Sequence, residues 1–283
     1  MKTTLLINCP DKAGIIGATS NFIHQQNGNV IYLDQHVDKD NNTFFMRIEI
    51  DFNDTTFNRK TFAKLFKKAI ALQFAMRWSI HFGTTTPKMA IWVSKYNHCL
   101  YDLLSRYQAG ELDVEIPFIL SNHKDLKSIA EQFTIPFYHI PVTKENKAIA
   151  EAKQLKLLNK HKIDFIVLAR YMQIVTPMII KEFPHKIINI HHSFLPAFAG
   201  AKPYHAAFDR GVKIIGATSH YVTEELDAGP IIEQDVTPVS HTHHIEDFLS
   251  KGRDLEKIVL ARAVKLHINR KTLVHKNKTI IFS

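Results

Sequence analysis

The chain has 283 residues, of which 45% are hydrophobic, and its formal net charge is +9. This length is typical of about two domains, and the composition is sufficient for ordinary hydrophobic cores. No run of about 18 apolar residues occurs, so the sequence predicts no transmembrane helix, and its first residues lack a signal-peptide pattern. The two cysteines, Cys9 and Cys99, form neither a CxxC motif nor a disulfide framework, which favours a cytoplasmic protein.

The excess of positive charge raises the question of nucleic-acid binding. Residues 251–283 carry nine Lys or Arg side chains against Asp254 and Glu256. This distribution is more typical of the solvated faces of a long helix and the tail that follows it. We therefore expect neither a nucleic-acid nor a membrane partner. A basic surface would instead attract an anionic small molecule.

The first 83 residues predict a small α/β domain. Apolar patterning indicates strands at residues 3–8, 30–36, 43–50 and 77–82, and helices at 15–25 and 56–75. The order βαββαβ is typical of a ferredoxin-like sheet with both helices on one face. A short polar segment that carries a proline, residues 84–87, then predicts a linker.

Residues 88–283 predict the second domain. Strands at 89–93, 114–120, 137–140 and 165–168 alternate with helices at 97–107, 124–132 and 144–159, and a long helix at 244–267 precedes two short strands. Regular alternation predicts a mostly parallel, Rossmann-like sheet that is covered on both faces. No GxGxxG or Walker motif occurs, so nothing indicates a dinucleotide or a nucleoside triphosphate.

Polar side chains occur where later strands of this domain end. Asn189 and His191 follow an apolar run, and residues two apart in an extended segment face the same side. His220 follows a strand expected at 212–217, and Asp227 lies in a tight Asp-Ala-Gly turn. Ligands bind at the carboxyl ends of parallel strands. An amide donor, an imidazole and a carboxylate there suit acid/base chemistry at a carbonyl, although a histidine after a strand is more often an ordinary loop residue.

Two groups of histidines raise the alternative of a metal site. His241, His243 and His244 lie close together in sequence, as do His191 and His192. Neither group has a carboxylate or thiolate partner at an established zinc spacing. We therefore expect polar loops here, no metal ion and no dinuclear metal hydrolase.

Three motifs together resemble the folate-dependent formyltransferase family: Asn189-x-His191, Ser193-x-Leu195-Pro196, and His220-x-Val222 with Asp227-Ala228-Gly229 downstream. The run from His191 to Gly200, followed by Pro203-Tyr204-His205, is most similar to the deformylase branch of that family. The resemblance covers nearly the whole chain. It implies hydrolysis of 10-formyltetrahydrofolate to tetrahydrofolate and formate, which would supply formate for purine synthesis and balance the one-carbon folate pools.

Catalytic roles follow from this implied reaction. We expect Asn189 to donate a hydrogen bond to the oxyanion, and His191 to stabilise the oxyanion or relay a proton. Asp227 would orient His191 and the attacking water and help to take the proton of that water. The resemblance implies no cofactor beyond the folate substrate itself.

The resemblance also indicates where the substrate binds. It predicts that the pterin lies against Arg170, Met172 and Ile174, and that His220 is near the substrate. His192 and His205 match family positions near the same pocket, without a role that the sequence defines.

Two other functions stay open at the level of sequence. A formyltransferase that acts on an amine needs the same three catalytic residues, but transferases acting on glycinamide ribonucleotide have a glycine-rich phosphate loop after the first strand. Residues 94–98 contain no glycine here, and Tyr96 and His98 are bulky, so the hydrolase is favoured. A non-catalytic folate or amino-acid sensor is the third alternative, which requires that the catalytic residues do not converge.

The loop of the first domain carries a second resemblance. Pro10-Asp11-Lys12-x-Gly14 is similar to the ACT family of small regulatory modules, which bind amino acids between subunits. An amino-acid effector and a purely assembling role are equally favoured by this one motif. In both cases a homo-oligomer, at least a dimer, is expected.

Overall fold

The computed structural model describes residues 2–52, 58–197 and 203–283. The chain forms two compact units. One contains the chain up to Thr86 together with Arg270–Leu273 and Ile280–Ser283, and the other contains Pro87–Asn269 and Val274–Thr279. Among the helices in the described ranges, none has the length and hydropathy needed to cross a bilayer.

The first unit is built on a four-stranded antiparallel sheet with the strand order β2-β3-β1-β4. A π-helical turn, Lys67–Ala71, extends its second helix. The elements in chain order are β1 (Lys2–Pro10), α1 (Ile15–Gln25), β2 (Gly28–Asp38), β3 (Thr43–Phe52), α2 (Arg59–Phe66) and β4 (Arg77–Phe82). This is the predicted βαββαβ order. Residues 56 and 57 of the second predicted helix lie outside the described residues.

Both faces of this first sheet are covered. Alternate residues of a strand point to opposite faces, so Leu5 and Ile7 pack against the helices while Leu6 points the other way. On that second face Leu6 and Phe45 pack against Phe282, which is 2% exposed. The sequence assigned residues 270–283 to the second domain, whereas the structure packs part of them onto the first sheet.

Hydrogen bonds hold the same terminal segment in place. The Ser283 backbone N–H donates to Asp34 Oδ2 at 2.9 Å, and the Tyr32 hydroxyl donates to the Ser283 carbonyl at 2.8 Å. The side chain of Arg47, which is buried, donates from Nε to the carbonyl of Arg270 at 2.9 Å. The apolar and polar contacts together explain why these residues belong to the first unit, because the open face of its sheet would otherwise expose apolar side chains.

The second unit contains a seven-stranded, mostly parallel sheet, which confirms the predicted fold class. Its elements in chain order are β5 (Lys88–Val93), α3 (His98–Gln108), β6 (Glu115–Ser121), α4 (Lys127–Gln132), β7 (Phe137–His139), α5 (Lys147–His161), β8 (Phe165–Leu168), α6 (Pro177–Ile180), β9 (Ile187–His191), α7 (Pro203–Arg210), β10 (Ile214–Tyr221), β11 (Ile231–Pro238) and α8 (Ile245–Ile268). The strands β12 (Thr272–His275) and β13 (Lys278–Ile281) form a separate two-stranded sheet.

The strand order β11-β10-β9-β8-β5-β6-β7 places a topological switch between β5 and β8. The chain winds from β5 towards β7 and then returns to the other side of β5. Loops that follow β5 and β8 therefore diverge to opposite faces and leave a crevice at the carboxyl ends of the strands. Strand β5 is buried on both faces, since Ile91 and Trp92 belong to different hydrophobic clusters.

Some boundaries differ from the prediction. The helices α6 and α7 were not predicted, because each is short and lacks a long apolar stripe. The predicted strand at 212–217 continues to Tyr221, so His220 lies within β10 and pairs with Asn189 of β9. Strands β10 and β11 run antiparallel, which makes one end of the sheet mixed.

The covering of the first sheet is tested by the substitution Phe282→Ala. Removing this buried ring should lower the free energy of unfolding of the first unit by about 3 kcal/mol. The adjacent substitution Ile281→Ala is the matched control, because that side chain is 42% exposed and should change stability little. Urea unfolding followed by circular dichroism measures both. Equal midpoints for Phe282→Ala and the unsubstituted protein would contradict the packing described.

Candidate active site

The register of two strands, β9 and β10, brings the first site residues together. Asn189 and His191 are two residues apart on β9, and both side chains reach one cavity. Asn189 lies opposite His220 of the antiparallel strand β10. Directly opposed residues of neighbouring strands have their side chains on the same face. The strand pairing therefore delivers three of the predicted site residues to one place.

Hydrogen bonds orient the amide of Asn189. His220 Nδ1 lies 3.0 Å from the Tyr221 carbonyl, which can only accept, so this nitrogen carries the proton. In the neutral ring, Nε2 of His220 is then an acceptor, and Asn189 Nδ2 lies 3.2 Å from it. The amide nitrogen of Asn189 thus points towards His220. Its second hydrogen is available to an acceptor in the cavity.

A tight turn presents the carboxylate of Asp227. Asp227 has a left-handed backbone with φ of 55°, which aspartate tolerates better than most residues. Two residues later, a Cβ on Gly229 would lie 1.8 Å from the carbonyl oxygen of Tyr221. Only glycine fits this close approach. The turn therefore requires Gly229 for its path and directs Asp227 back over β9 and β10.

Asp227 contacts both histidines of the site. Its Oδ2 lies 3.3 Å from His191 Nδ1, and its Oδ1 lies 3.6 Å from His220 Nε2. The hydrogen bond from His191 holds the pKa of Asp227 well below its usual range, although partial burial acts in the opposite direction. Asp227 is therefore ionised. A carboxylate can only accept, so His191 Nδ1 donates to it.

The other ring nitrogen of His191 is available for chemistry. His191 is 5% exposed, and its Nε2 has no hydrogen-bond partner in the described ranges of the chain. A buried nitrogen without a partner is uncommon and suggests a ligand or a water molecule. With Nδ1 fixed on Asp227, Nε2 is the atom of His191 that can exchange a proton with something bound in the cavity.

The cavity has a volume of about 450 Å³, which is in the range of small-molecule sites. Its lining includes all seven predicted site residues: Asn189, His191, Asp227, Arg170, Met172, Ile174 and His220. Their individual roles stay predictions. His192 also lines the cavity, whereas His205 is exposed on α7 and is absent from the lining.

The loop after β8 forms the apolar part of the lining. Met172 and Ile174 are 47% and 59% exposed, as expected for side chains that cover a ligand and little else. Hydrogen bonds fix the backbone of this loop, and in one of them the Met172 N–H donates to Ser94 Oγ at 2.9 Å. The Thr176 N–H donates to the buried carboxylate of Glu151, also at 2.9 Å. Sequence reasoning missed Glu151, since it lies on α5, far along the chain from the motifs.

A second buried carboxylate, Glu256, was not found by the sequence analysis. It lies on the last helix, whose positive charge was expected on solvated faces, and is 1% exposed. Burial raises the pKa of Glu256, while the hydrogen bond from His98 and the positive charge of Arg170 lower it, and the net direction is downward. The sequence carries no sign of this burial because all partners of Glu256 are distant in sequence, so no local pattern marks the residue as buried.

Among the described residues, one group of side chains could together ligate a metal ion, and Glu256 belongs to it. Atoms of His98, Cys99 and Glu256 that could ligate an ion lie within 4.8 Å of one another. A divalent cation fits poorly, because Arg170 Nε already lies 3.3 Å from Glu256 and would repel it. Burial also raises the pKa of the Cys99 thiol, which disfavours the thiolate that a metal requires.

The histidines near the start of α8 have structural contacts instead. His243 Nδ1 accepts a hydrogen bond from the Ser240 N–H at 2.8 Å. His244 caps α8, and its N–H donates to Asp247 Oδ2 at 2.8 Å. These contacts fit the polar loop that the sequence predicted. That the protein uses no metal stays a prediction.

Comparison with known proteins assigns each of the two units to a protein family. The family model "Formyl transferase" matches residues 87–264, and the model "ACT domain" matches residues 3–56. The second unit therefore has the fold of a formyl transferase, and the same chain carries an ACT domain.

Three similar proteins make the assignment narrower. A formyltetrahydrofolate deformylase of Synechocystis is 51% identical over 100% of this chain and 99% of its own length. The crystal structure of one from Pseudomonas syringae is 48% identical, covers 100% of this chain and 95% of its own, and superposes with a TM-score of 0.96. A phosphoribosylglycinamide formyltransferase from Anaplasma phagocytophilum is 29% identical, with a TM-score of 0.64 over 70% of this chain and 96% of its own. The chain belongs to the formyltetrahydrofolate deformylase family.

The turn that carries Asp227 is tested by the substitution Gly229→Ala. Because the new Cβ would overlap the Tyr221 carbonyl, the turn must move, and we expect activity to fall at least about 100-fold. The control is Gly17→Ala, since an added Cβ at Gly17 meets nothing within 4 Å. Steady-state assay of both variants at matched folded fraction measures the effect. Activity in Gly229→Ala equal to that of the control would contradict the close approach.

Proposed function

We propose that the chain hydrolyses 10-formyltetrahydrofolate to tetrahydrofolate and formate. The observation that carries the proposal is the convergence of Asn189, His191 and Asp227 in one cavity of a chain from the deformylase family. The same convergence argues against a non-catalytic sensor. Formate release of this kind would serve one-carbon metabolism and purine biosynthesis.

The mechanism follows from the hydrogen-bonding capacity of each group. Water attacks the formyl carbon, a C–O bond forms, and the carbonyl oxygen becomes an oxyanion. The free hydrogen of the Asn189 amide donates to this oxygen. His191, held by Asp227, has Nε2 free to take a proton from the water or to donate it onwards. The C–N10 bond then breaks, and N10 leaves with a proton that the attacking water supplied.

Asp227 serves two purposes in this scheme. As a carboxylate it fixes the tautomer of His191, and it stabilises the imidazolium that forms when Nε2 takes a proton. Its low pKa keeps it ionised throughout the physiological range. Its side chain is 18% exposed, so a water molecule can reach it from the cavity. This geometry supports Asp227 as the residue that orients both His191 and the attacking water.

The apolar loop after β8 suits the flat pterin. In this proposal Met172 and Ile174 cover its faces, Arg170 lies at its edge and His220 supports Asn189 beside it. No cofactor takes part, because the folate itself carries the formyl group. The net charge of +9 favours approach of a substrate with glutamate carboxylates. Neither nucleic acid nor a membrane is a partner in this scheme.

Transfer to an amine is the alternative and is not favoured. The transferase from Anaplasma phagocytophilum matches 70% of this chain, whereas the deformylase from Pseudomonas syringae matches all of it. The loop after β5 also has bulky Tyr96 and His98 where a phosphate cradle would need glycine. Water is therefore the proposed acceptor of the formyl group.

Product analysis with the variant Asp227→Asn tests the hydrolysis. With 10-formyltetrahydrofolate and no amine, the unsubstituted protein should release formate and tetrahydrofolate in equal amounts. Asp227→Asn should lower kcat at least about 1000-fold while the Kd for the folate changes little, since the residue does not contact the pterin. The control is the same change at an exposed residue, Asp113→Asn. A fully active Asp227→Asn protein would contradict the assigned role, and absence of formate from the unsubstituted protein would contradict the reaction.

For the first unit we propose an assembling and regulatory role. Its ACT fold supports ligand binding, and the finer assignment is a homo-oligomer with an amino acid as effector. The cytoplasm is the proposed compartment, and both cysteines are free thiols, as expected there.

Sedimentation equilibrium checks the assembly. We expect a dimer or a larger homo-oligomer at micromolar concentration, and calorimetric titration with the common amino acids should find a ligand if the unit is regulatory. A monomer at all concentrations would contradict the proposed assembly. An oligomer that binds none of the amino acids would leave assembly as its function.

A further inference from the structure

A buried group of side chains surrounds Glu256. His98 Nε2 lies 2.8 Å from its Oε2, Arg170 Nε lies 3.3 Å from the same oxygen, and the Tyr204 hydroxyl donates to Oε1 at 3.2 Å. The side chain of Glu256 is 2% exposed, and that of Arg170 is 8% exposed. Removing a carboxylate from water is costly unless several partners replace the lost hydration. The three partners meet this requirement, and they come from three different elements.

The backbone is shaped to admit this group. A Cβ on Gly252 of α8 would lie 2.2 Å from Cζ of Tyr204, so only glycine lets the tyrosine ring pass the helix to reach Glu256. Arg170 has a left-handed backbone with φ of 63°, which is unfavourable for a residue with a Cβ. Its guanidinium stacks 4.9 Å from the ring centroid of Tyr96. The glycine at 252 and the left-handed backbone of Arg170 are local costs at two separate positions that both serve one carboxylate.

The group lies at the topological switch of the second sheet. Tyr96 and His98 follow β5, and Arg170 follows β8, so the two loops that border the crevice are joined through Glu256. A chain of ring contacts leads from there to the catalytic histidine. Tyr204 packs against His192 at 5.9 Å between centroids, and His192 packs against His191 at 5.3 Å. Arg170 also lines the cavity that holds His191, so the group borders the proposed reacting centre through this residue.

We propose that Tyr96, His98 and Tyr204 close the side of the site from which an amine would approach, and that Glu256 is the positioning residue that holds them. This inference rests on the proposed hydrolysis and explains its selectivity for water. The loop after β5 is where the sequence analysis expects a transferase to hold the phosphate of its acceptor. Here ion-paired and aromatic side chains of the chain itself follow β5, and in this proposal they leave access to the formyl carbon only for a molecule as small as water.

Opening this side should admit a small amine. In that reaction the amine nitrogen forms a bond with the formyl carbon, the C–N10 bond breaks, and N10 takes the proton that the amine loses. The unsubstituted protein, given 10-formyltetrahydrofolate and excess glycinamide, should yield formate and almost no formylglycinamide. Tyr96→Ala removes the ring beneath Arg170 and should raise the ratio of formylglycinamide to formate about tenfold or more.

Two further variants separate positioning from general stability. Glu256→Gln keeps the size of the side chain but leaves Arg170 without a counter-ion, so we expect the same rise in the product ratio. Tyr101→Ala is the matched control, because Tyr101 lies on the neighbouring helix with 40% exposure against 45% for Tyr96. A residue that acts only through stability would change the rate of formate release without changing the product ratio. Mass spectrometry of the products measures both the rate of formate release and the product ratio in one reaction.

The outcomes are distinguishable from those for the hydrolysis itself. Formate release by the unsubstituted protein without glycinamide tests the reaction, whereas the product ratio in the variants tests the closed acceptor side. If Glu256→Gln fails to fold, Tyr96→Ala decides the matter, since this side chain is near the surface. A folded Tyr96→Ala protein that hydrolyses the folate and forms no more formylglycinamide than Tyr101→Ala would overturn the inference.

Discussion

The contact between Asp227 and Nδ1 of His191, 3.3 Å long, is the constraint that the site depends on. His191 reaches it through its position on β9, and Asp227 reaches it through a turn that only Gly229 permits. A shift of one residue in the pairing of β9 with β10 would send His191 to the opposite face of the sheet. The sheet register, the turn and the left-handed backbone of Asp227 are therefore parts of one arrangement, and none is sufficient alone.

The second unit has two carboxylates, Asp227 and Glu256, that differ in solvent exposure and in hydrogen-bond partners. Asp227 is partly accessible from the cavity, whereas Glu256 is sealed among His98, Arg170 and Tyr204. Identical groups acquire different functions when their environments differ in solvation and in partners. The accessible one can act on water and on an imidazole. The sealed one can only hold its neighbours, so its effect is on the shape of the site.

The sequence was sufficient for the features that have a local signal. The two-residue spacing of Asn189 and His191 predicted a shared face, and the regular alternation of strands and helices predicted the parallel sheet. Glu256 was missed because its partners His98, Arg170 and Tyr204 lie between 52 and 158 residues away. Nothing in a helix rich in charge distinguishes one glutamate that is buried from others that are solvated. Packing between residues that are distant in sequence buries this glutamate, and no local pattern of a single sequence reveals such packing.

Phe282 covers one face of the first sheet, and this has a consequence for the order of events during synthesis. Leu6 and Phe45 are made early, but Phe282, which covers them, follows the end of β4 by about 200 residues. At the usual speed of translation this is a delay on the order of 10 to 40 seconds. During that interval the nascent chain exposes the apolar side chains of Leu6 and Phe45 on the face of the first sheet that Phe282 later covers. The ribosome-bound chain is thus a better substrate for a chaperone than the finished protein.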